Sequence, residues 1–167
     1  MSLDLRSVYD QHASALFAFL LNLTRSELAT RELLQELFFK LATKSAPFEG
    51  VRDVRAWLIC LVHRLFIDRH RRSAREEHLL ERAAAEAPLF QPATHPDEES
   101  FRAALTAALA ELPSEQRAVV HLKLWEEMTF AEIASALEIS PNTAASRYRY
   151  GLDKLQSALR PLYEELR

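Results

Sequence analysis

Apolar side chains recur along this chain every three or four positions, the period of a helix face, and almost nowhere alternate as a half-buried strand would. The spacing predicts a first helix over about Asp4–Thr24, with Leu5, Val8, His12, Ala15, Phe19 and Leu23 near one face. Ser26 can cap a second, about Glu27–Thr43, where Leu34, Leu37, Phe38 and Leu41 repeat at helical intervals. Pro47 and Gly50 mark a loop, after which Asp53 can cap a third helix that enters with Trp57 and continues through Leu61, Leu65 and Ile67. Pro88, Pro92 and Pro96 then fall within nine residues, and no helix runs through three such breaks. About Glu76–His95 is therefore a linker.

Beyond it the period returns over Asp97–Leu112, and Pro113-Ser114 supplies a turn and N-cap for a helix over about Glu115–Glu126. Thr129-Phe130-Ala131-Glu132 has the spacing of a capping box, in which each side chain satisfies the other residue's backbone N–H. That opens a short helix, Phe130–Leu137. Ser140-Pro141 offers a cap followed by proline in the first turn, so a last helix runs from there to about Leu159. The expected fold is all-α, with two small helical domains joined by the linker.

Composition sharpens this reading. The 167 residues are 49% hydrophobic and 27% charged, an ordinary globular balance. Only Gly50 and Gly151 are glycines, which argues against a β-sandwich, a phosphate-cradling loop or a dinucleotide fold, all of which need several. The longest uncharged stretch, Gln11–Thr24, has 14 residues, short of the roughly 18 that a membrane span requires. Asp4 and Arg6 precede any apolar run, against a secretory signal. The lone Cys60 lies in the apolar run Trp57–Val62 and reads as a reduced core thiol of a cytoplasmic protein.

Net charge is -3, which argues against non-specific coating of nucleic acid, but the average hides a pattern. Arg52–Arg75 holds seven arginines and two acids, and Pro141–Arg160 holds Arg147, Arg149, Lys154 and Arg160 against Asp153. Between them Glu81–Glu111 carries six acids and two arginines. Two basic patches around an acidic spacer point to two contacts with one polyanion.

The two capped helices separated by Glu138-Ile139-Ser140 have the dimensions of a helix-turn-helix, whose second helix enters the DNA major groove. Ile133, Ala134, Leu137, Ile139, Ala144, Tyr148 and Leu152 can form its inner face. Asn142, Thr143, Ser146, Arg147, Arg149 and Tyr150 are left outward: short hydrogen-bonding and long cationic groups at the end that meets bases and phosphates. The small Ala144, Ala145 and Ser146 permit close approach.

At this point the residues resemble the extracytoplasmic-function (ECF) sigma factors of bacterial RNA polymerase. Leu109–Arg117, Thr129–Ala134, Ile139–Thr143 and Ser146-Arg147 look like that family's C-terminal region four. Glu32–Phe38 is similar to its polymerase-binding helix, and Ala56-Trp57-Leu58 with Ile67-Asp68-Arg69 to its promoter-melting helix. The resemblance covers nearly the whole chain, in the family's order. It implies region two at residues 1–75, a linker at 76–96 and region four at 97–167.

The resemblance further implies a protein without an active site that joins core RNA polymerase and directs it to promoter DNA. Polymerase would be met through Glu32, Leu34, Gln35 and Glu36. The minus-ten element would be met through Arg64, Asp68, Arg69, Arg71 and Arg72, with Trp57 mainly structural. The minus-thirty-five element would meet the outward face of the last helix. An anti-sigma factor is the expected regulatory partner.

Three positions depart from the family pattern. Arg64 stands where an asparagine is common in the melting helix, and Ala145 where a basic residue is frequent. Glu138 stands where a glycine usually forms the helix-turn-helix turn, so it must bear any positive backbone angle there.

A free-standing helix-turn-helix repressor or activator is the alternative. It accounts for the C-terminal half and leaves the arginine-rich helix and the Leu-Leu-Gln-Glu strip unexplained. An enzyme has little support: the six histidines show no metal-ligand spacing, no nucleophile–base signature is present, and no cofactor or metal is expected.

Overall fold

A computed structural model describes residues 4–44, 47–76 and 96–165, and every regular element among them is helical. The helices are α1 (Leu5–Thr24), α2 (Glu27–Ala42), α3 (Val54–Glu76), α4 (Pro96–Ala110), α5 (Ser114–Leu124), α6 (Phe130–Leu137) and α7 (Pro141–Glu165). Most of the expected linker lies outside the described residues.

Four of the starts are fixed by side-chain caps. Ser26 Oγ accepts from the Ala29 N–H at 3.3 Å, Asp53 Oδ1 from Ala56 at 3.0 Å and Ser140 Oγ from Thr143 at 3.0 Å. At α6 the capping box is complete: the Glu132 N–H donates to Thr129 Oγ1 at 3.2 Å, and the Thr129 N–H to Glu132 Oε2 at 2.6 Å. Each such cap is worth about 1 kcal/mol, enough to decide where a short helix begins.

Two boundaries differ from the sequence reading. Ser114 is the first residue of α5 rather than its cap; Pro113 takes that place, and its carbonyl accepts from the Arg117 N–H at 3.0 Å. The last helix also passes beyond Leu159 and through Pro161 to Glu165. A proline there removes one hydrogen bond, to the carbonyl four residues back, and that residue, Ser157, is exposed.

Helices α1, α2 and α3 pack on one another, as do α4, α5, α6 and α7, and two further pairings, α1 on α5 and α3 on α6, join the halves. Their cores merge. Phe19, Ile59, Val62 and Phe66 belong to the same buried cluster as Ala118, Leu122, Ile133 and Leu137. A smaller cluster of Ala108, Leu109, Leu112, Val120 and Leu155 fastens α4 to α5 and α7. There Gly151 lets α7 come close: a Cβ on it would lie 2.7 Å from Val120 Cγ2.

Candidate nucleic-acid interface

The expected recognition helix is held by its inner face. Ala144 is fully buried, Ile133, Ala134 and Leu137 are buried beneath it, and Tyr148 meets Phe130 edge-on with ring centroids 5.6 Å apart. This fixes what remains outside. Asn142, Arg149 and Tyr150 are exposed, and the Arg149 guanidinium lies 5.1 Å from the Tyr150 ring centroid. Thr143 and Ser146 are half-buried and locally engaged: the hydroxyls of Ser140 and Thr143 lie 2.8 Å apart, and Ser146 Oγ donates to the Thr143 carbonyl at 3.1 Å. Arg147 is also half-buried and lies on the flank of α7 that looks toward α3.

The arginine-rich helix divides by face. Arg64, Asp68 and Arg71, spaced four and three apart, share one side of α3 and line a cleft of about 420 Å³ with Arg147, Glu115, Leu137 and Glu138. Arg69 turns the other way and pairs with Glu32 of α2. Arg72 is exposed between these two sides. Of the residues expected to meet DNA, Arg64, Asp68 and Arg71 thus face Arg147 across a cleft, while the others lie outside it.

Arg64 does not project freely into that cleft. Its Nε donates to Glu138 Oε2 at 2.9 Å and its Nη2 to Glu138 Oε1 at 2.5 Å, a two-point ion pair between α3 and the turn after α6. The pair pulls the Glu138 carboxyl below the usual range, chiefly through this hydrogen bonding, and raises the Arg64 guanidinium correspondingly. Glu138 has φ +58°, the left-handed turn conformation that the sequence demanded of it. A second pair ties the halves at Arg55, whose Nε donates to Glu126 Oε2 at 3.0 Å.

On α2, Glu32, Gln35 and Glu36 are exposed, and Glu36 also pairs with Lys40 at 2.6 Å. Leu34 is different. It is buried in the core, because its position points opposite the exposed strip, so it supports the strip from beneath rather than offering contact. The apolar members of the outer face are Leu28 and Phe39, 69% and 70% exposed. Positions 28, 32, 35, 36 and 39 lie along one side of a helix, a spacing that would have found Phe39 from the sequence.

Two rings of α3 are structural, and Cys60 departs from the sequence reading. Phe66 is buried at 6% exposure and cannot serve a base, while Trp57 packs edge-on against Phe48 at 6.0 Å as a structural ring. Cys60 is only half-buried, one turn before Arg64, and burial pushes its thiol pKa up. It follows the polar face of α3 rather than the apolar run in which it is written.

Sequence reasoning missed the buried polar groups where α1 meets α5. His121, 6% exposed, lies 5.4 Å from Phe19 and 5.3 Å from Trp125 between ring centroids, with the Asn22 amide 3.3 Å from its Nδ1. Burial lowers its pKa to about 4, so the ring is neutral at neutral pH. Arg117 is buried nearby, and its Nε and Nη1 have no hydrogen-bond partner. Burial, and then the neighbouring Arg25, lower its pKa. Among the described residues no three His, Cys, Asp or Glu side chains are grouped as a metal site requires, and no helix is long and apolar enough to cross a membrane.

Comparison with known proteins places this arrangement. The family model of sigma-70 region 2 matches residues 8–76, and that of sigma-70 region 4 matches residues 102–155. The chain is 30% identical over 163 residues to the ECF RNA polymerase sigma factor SigL of Mycobacterium tuberculosis, covering 95% of this chain and 90% of that one. It is 27% identical over 166 residues to the ECF RNA polymerase sigma factor SigX of Bacillus subtilis, covering 95% and 85%. Its fold is shared with the sigma factor RpoE of Bartonella quintana, solved with the anti-sigma factor NepR, at a TM-score of 0.74 and 22% identity over 93% of this chain and 96% of that one. CnrH, solved with the cytosolic domain of CnrY, superposes at a TM-score of 0.65 and 21% identity over 94% and 88%. With both sigma-70 regions present in order and a relative matched almost end to end, the chain belongs to the ECF sigma factors of RNA polymerase.

Proposed function

We propose that this chain joins bacterial core RNA polymerase, delivers it to promoter DNA and helps to open the duplex, working in the cytoplasm as a binding subunit with no catalytic role and no cofactor. The observation that carries the reading is the presence of two sigma-70 regions in one chain, each with its own outward charged face. Residues 1–75 act as region two, 76–96 as the connection and 97–167 as region four.

Glu32, Gln35 and Glu36, flanked by Leu28 and Phe39 and supported beneath by Leu34, make the polymerase contact. An acidic strip between exposed apolar side chains suits a transient interface with a helical partner carrying basic groups. Arg64, Arg71 and Arg72 hold the backbone of the melted strand with Asp68 beside them, and Arg69 joins them once Glu32 turns to polymerase. Asn142, Ser146 and Arg149 lead the contact with duplex DNA, where Tyr150 and Arg149 act as one flat cationic unit. Thr143 and Arg147 reach it from the flank.

Geometry adds a requirement. Elements centred ten and thirty-five base pairs upstream are about 25 base pairs apart, about 85 Å along the duplex at 3.4 Å per step. Helices in direct contact cannot read both at once, so the halves part during initiation. An anti-sigma factor is the expected regulator, and both solved relatives named above are held by partners, NepR and CnrY.

The test is co-elution of the purified chain with core polymerase, followed by transcription from a promoter-containing template. Transcripts that require the chain, and are lost in Gln35→Ala/Glu36→Ala and reduced in Phe39→Ala, are the expected result. Failure to bind polymerase, together with dimeric binding to duplex DNA, would replace the reading by that of a free-standing repressor or activator.

A further inference from the structure

Two of the positions that stand out in the sequence, Arg64 and Glu138, turn out to be partners. Arg64, on the wall of the cleft that faces region four, is gripped at two points by Glu138, and Glu138 is the residue that bears the turn's left-handed backbone. A side chain in that conformation is disfavoured where glycine is not, and nothing about the turn itself calls for a carboxylate. Its hydrogen bonding to the rest of the turn is all backbone: its own N–H and that of Ile139 reach back to the Ala134 carbonyl. The carboxylate is directed entirely at Arg64.

The chemistry of that grip matters for a DNA-binding arginine. A guanidinium accepts a carboxylate and a phosphate in the same planar, two-bond arrangement, so each excludes the other. We propose that Glu138 is an internal phosphate mimic that clasps Arg64, holding the two halves closed and keeping the cleft, with Asp68, Arg71 and Arg147, turned away from promoter DNA. Because one guanidinium cannot serve both partners, a strand phosphate bound at Arg64 releases the turn, and release of the turn frees Arg64 for the strand. Opening and DNA capture are then linked, each favouring the other to the same extent. Both side chains are about half exposed at 54%, so the pair is weak enough to be exchanged and sensitive to salt.

The chain carries its own reporter. Cys60 is the single cysteine, lies one turn before Arg64 on the same side of α3, and is half-buried beside the clasp. In the isolated full-length chain, Glu138→Gln should speed the reaction of Cys60 with a disulfide reagent such as dithionitrobenzoate about fivefold, the scale of one exposed ion pair. Rates are compared at equal thiolate fraction, because the thiol pKa is raised by burial and also by the Glu138 carboxylate itself. Arg64→Glu should do at least as much, and the exchanged pair Arg64→Glu/Glu138→Arg should return the rate toward that of the unaltered chain. Glu138→Gly separates clasp from stability: it relieves the turn and raises the thermal midpoint, yet should still quicken Cys60. Binding of a labelled mixed-sequence single-stranded 12-mer to the isolated chain should tighten about fivefold in Glu138→Gln at low salt, and the gain should vanish at high salt.

Unchanged Cys60 kinetics and DNA binding in Glu138→Gln would overturn the proposal. So would a rate that stays fast in the exchanged pair, since that would mean packing rather than charge protects the thiol. The inference rests on the sigma-factor reading, but the two fail separately: polymerase co-elution reports the first, and Cys60 kinetics in the chain alone report the second.

Discussion

The halves of this protein meet along two edges that share one apolar core and differ at their rims. Where α1 crosses α5 the contact is enclosed: Phe19, Asn22 and His121 are buried together, the Asn22 amide faces the imidazole, and the more exposed Trp125 lies against the same ring. Where α3 crosses α6 the contact opens into a cleft of about 420 Å³ edged by charge, with Arg64 and Glu138 paired in partial solvent. The first edge supplies binding strength through area removed from water, which salt does not weaken. The second also buries apolar side chains of α3 and α6, and its charged rim adds control, because exposed ion pairs are easily exchanged for other anions. Even the enclosed edge carries a counterweight, since the buried Arg117 lacks partners for two of its nitrogens and would regain water if the halves parted. A chain built this way closes on itself without being locked.

Substitutions on each edge should separate these roles. The largest effect belongs to Phe19→Ala, which empties a fully enclosed site shared by both halves. It should cost about 3 to 5 kcal/mol, and the thermal midpoint should fall by about 10 °C. Next comes pH. His121 is held neutral, so the unfolded chain takes up its proton first as pH drops below 6.5, and stability declines until about pH 4, where the buried ring also titrates. That window accounts for about 3 kcal/mol, with His12 and His63, also lowered by burial, adding in the same direction. Urea midpoints measured from pH 7 to pH 4 should show the decline, and His121→Phe should flatten it.

Arg55→Ala should rank third. It leaves the largely enclosed Glu126 carboxylate, 12% exposed, without its partner, and unfolding in urea should register a loss of about 1 to 3 kcal/mol. Glu138→Gln should be last in stability, with no resolvable change in the thermal midpoint, and first in its effect on Cys60 reactivity. An inverted order, with the clasp governing stability and the enclosed edge governing access, would break the comparison.

The helices were largely legible because their signals are local. Ser26, Asp53, Thr129 and Ser140 each cap the helix that the pattern assigned to them, and the turn forces Glu138 into the left-handed region as its position in the chain required. Surface assignments held where one helix face decides them, as for Asn142, Arg149, Gln35 and Glu36. They failed for Leu34, grouped with the polar strip beside it although the helix turns it into the core. They failed too for Cys60, placed in the core with the apolar run around it although the helix turns it toward the polar side. The joining of the halves was not legible at all. Asn22 lies 99 residues from His121 and Arg64 lies 74 from Glu138, and no periodicity relates positions so far apart. A sequence could name Arg64 and Glu138 as unusual; only the packing of α3 on α6 makes them a pair.

The most direct test of the central claim is the distance between the halves. Labels at the exposed Gln11 of α1 and Gln156 of α7, in a Cys60→Ser background, would follow it by energy transfer. The account predicts a short separation in the free chain and an increase of tens of ångströms, on the scale of the ~85 Å between promoter elements, once core polymerase and promoter DNA are added. A separation that stays short while promoter-dependent transcripts accumulate would contradict it.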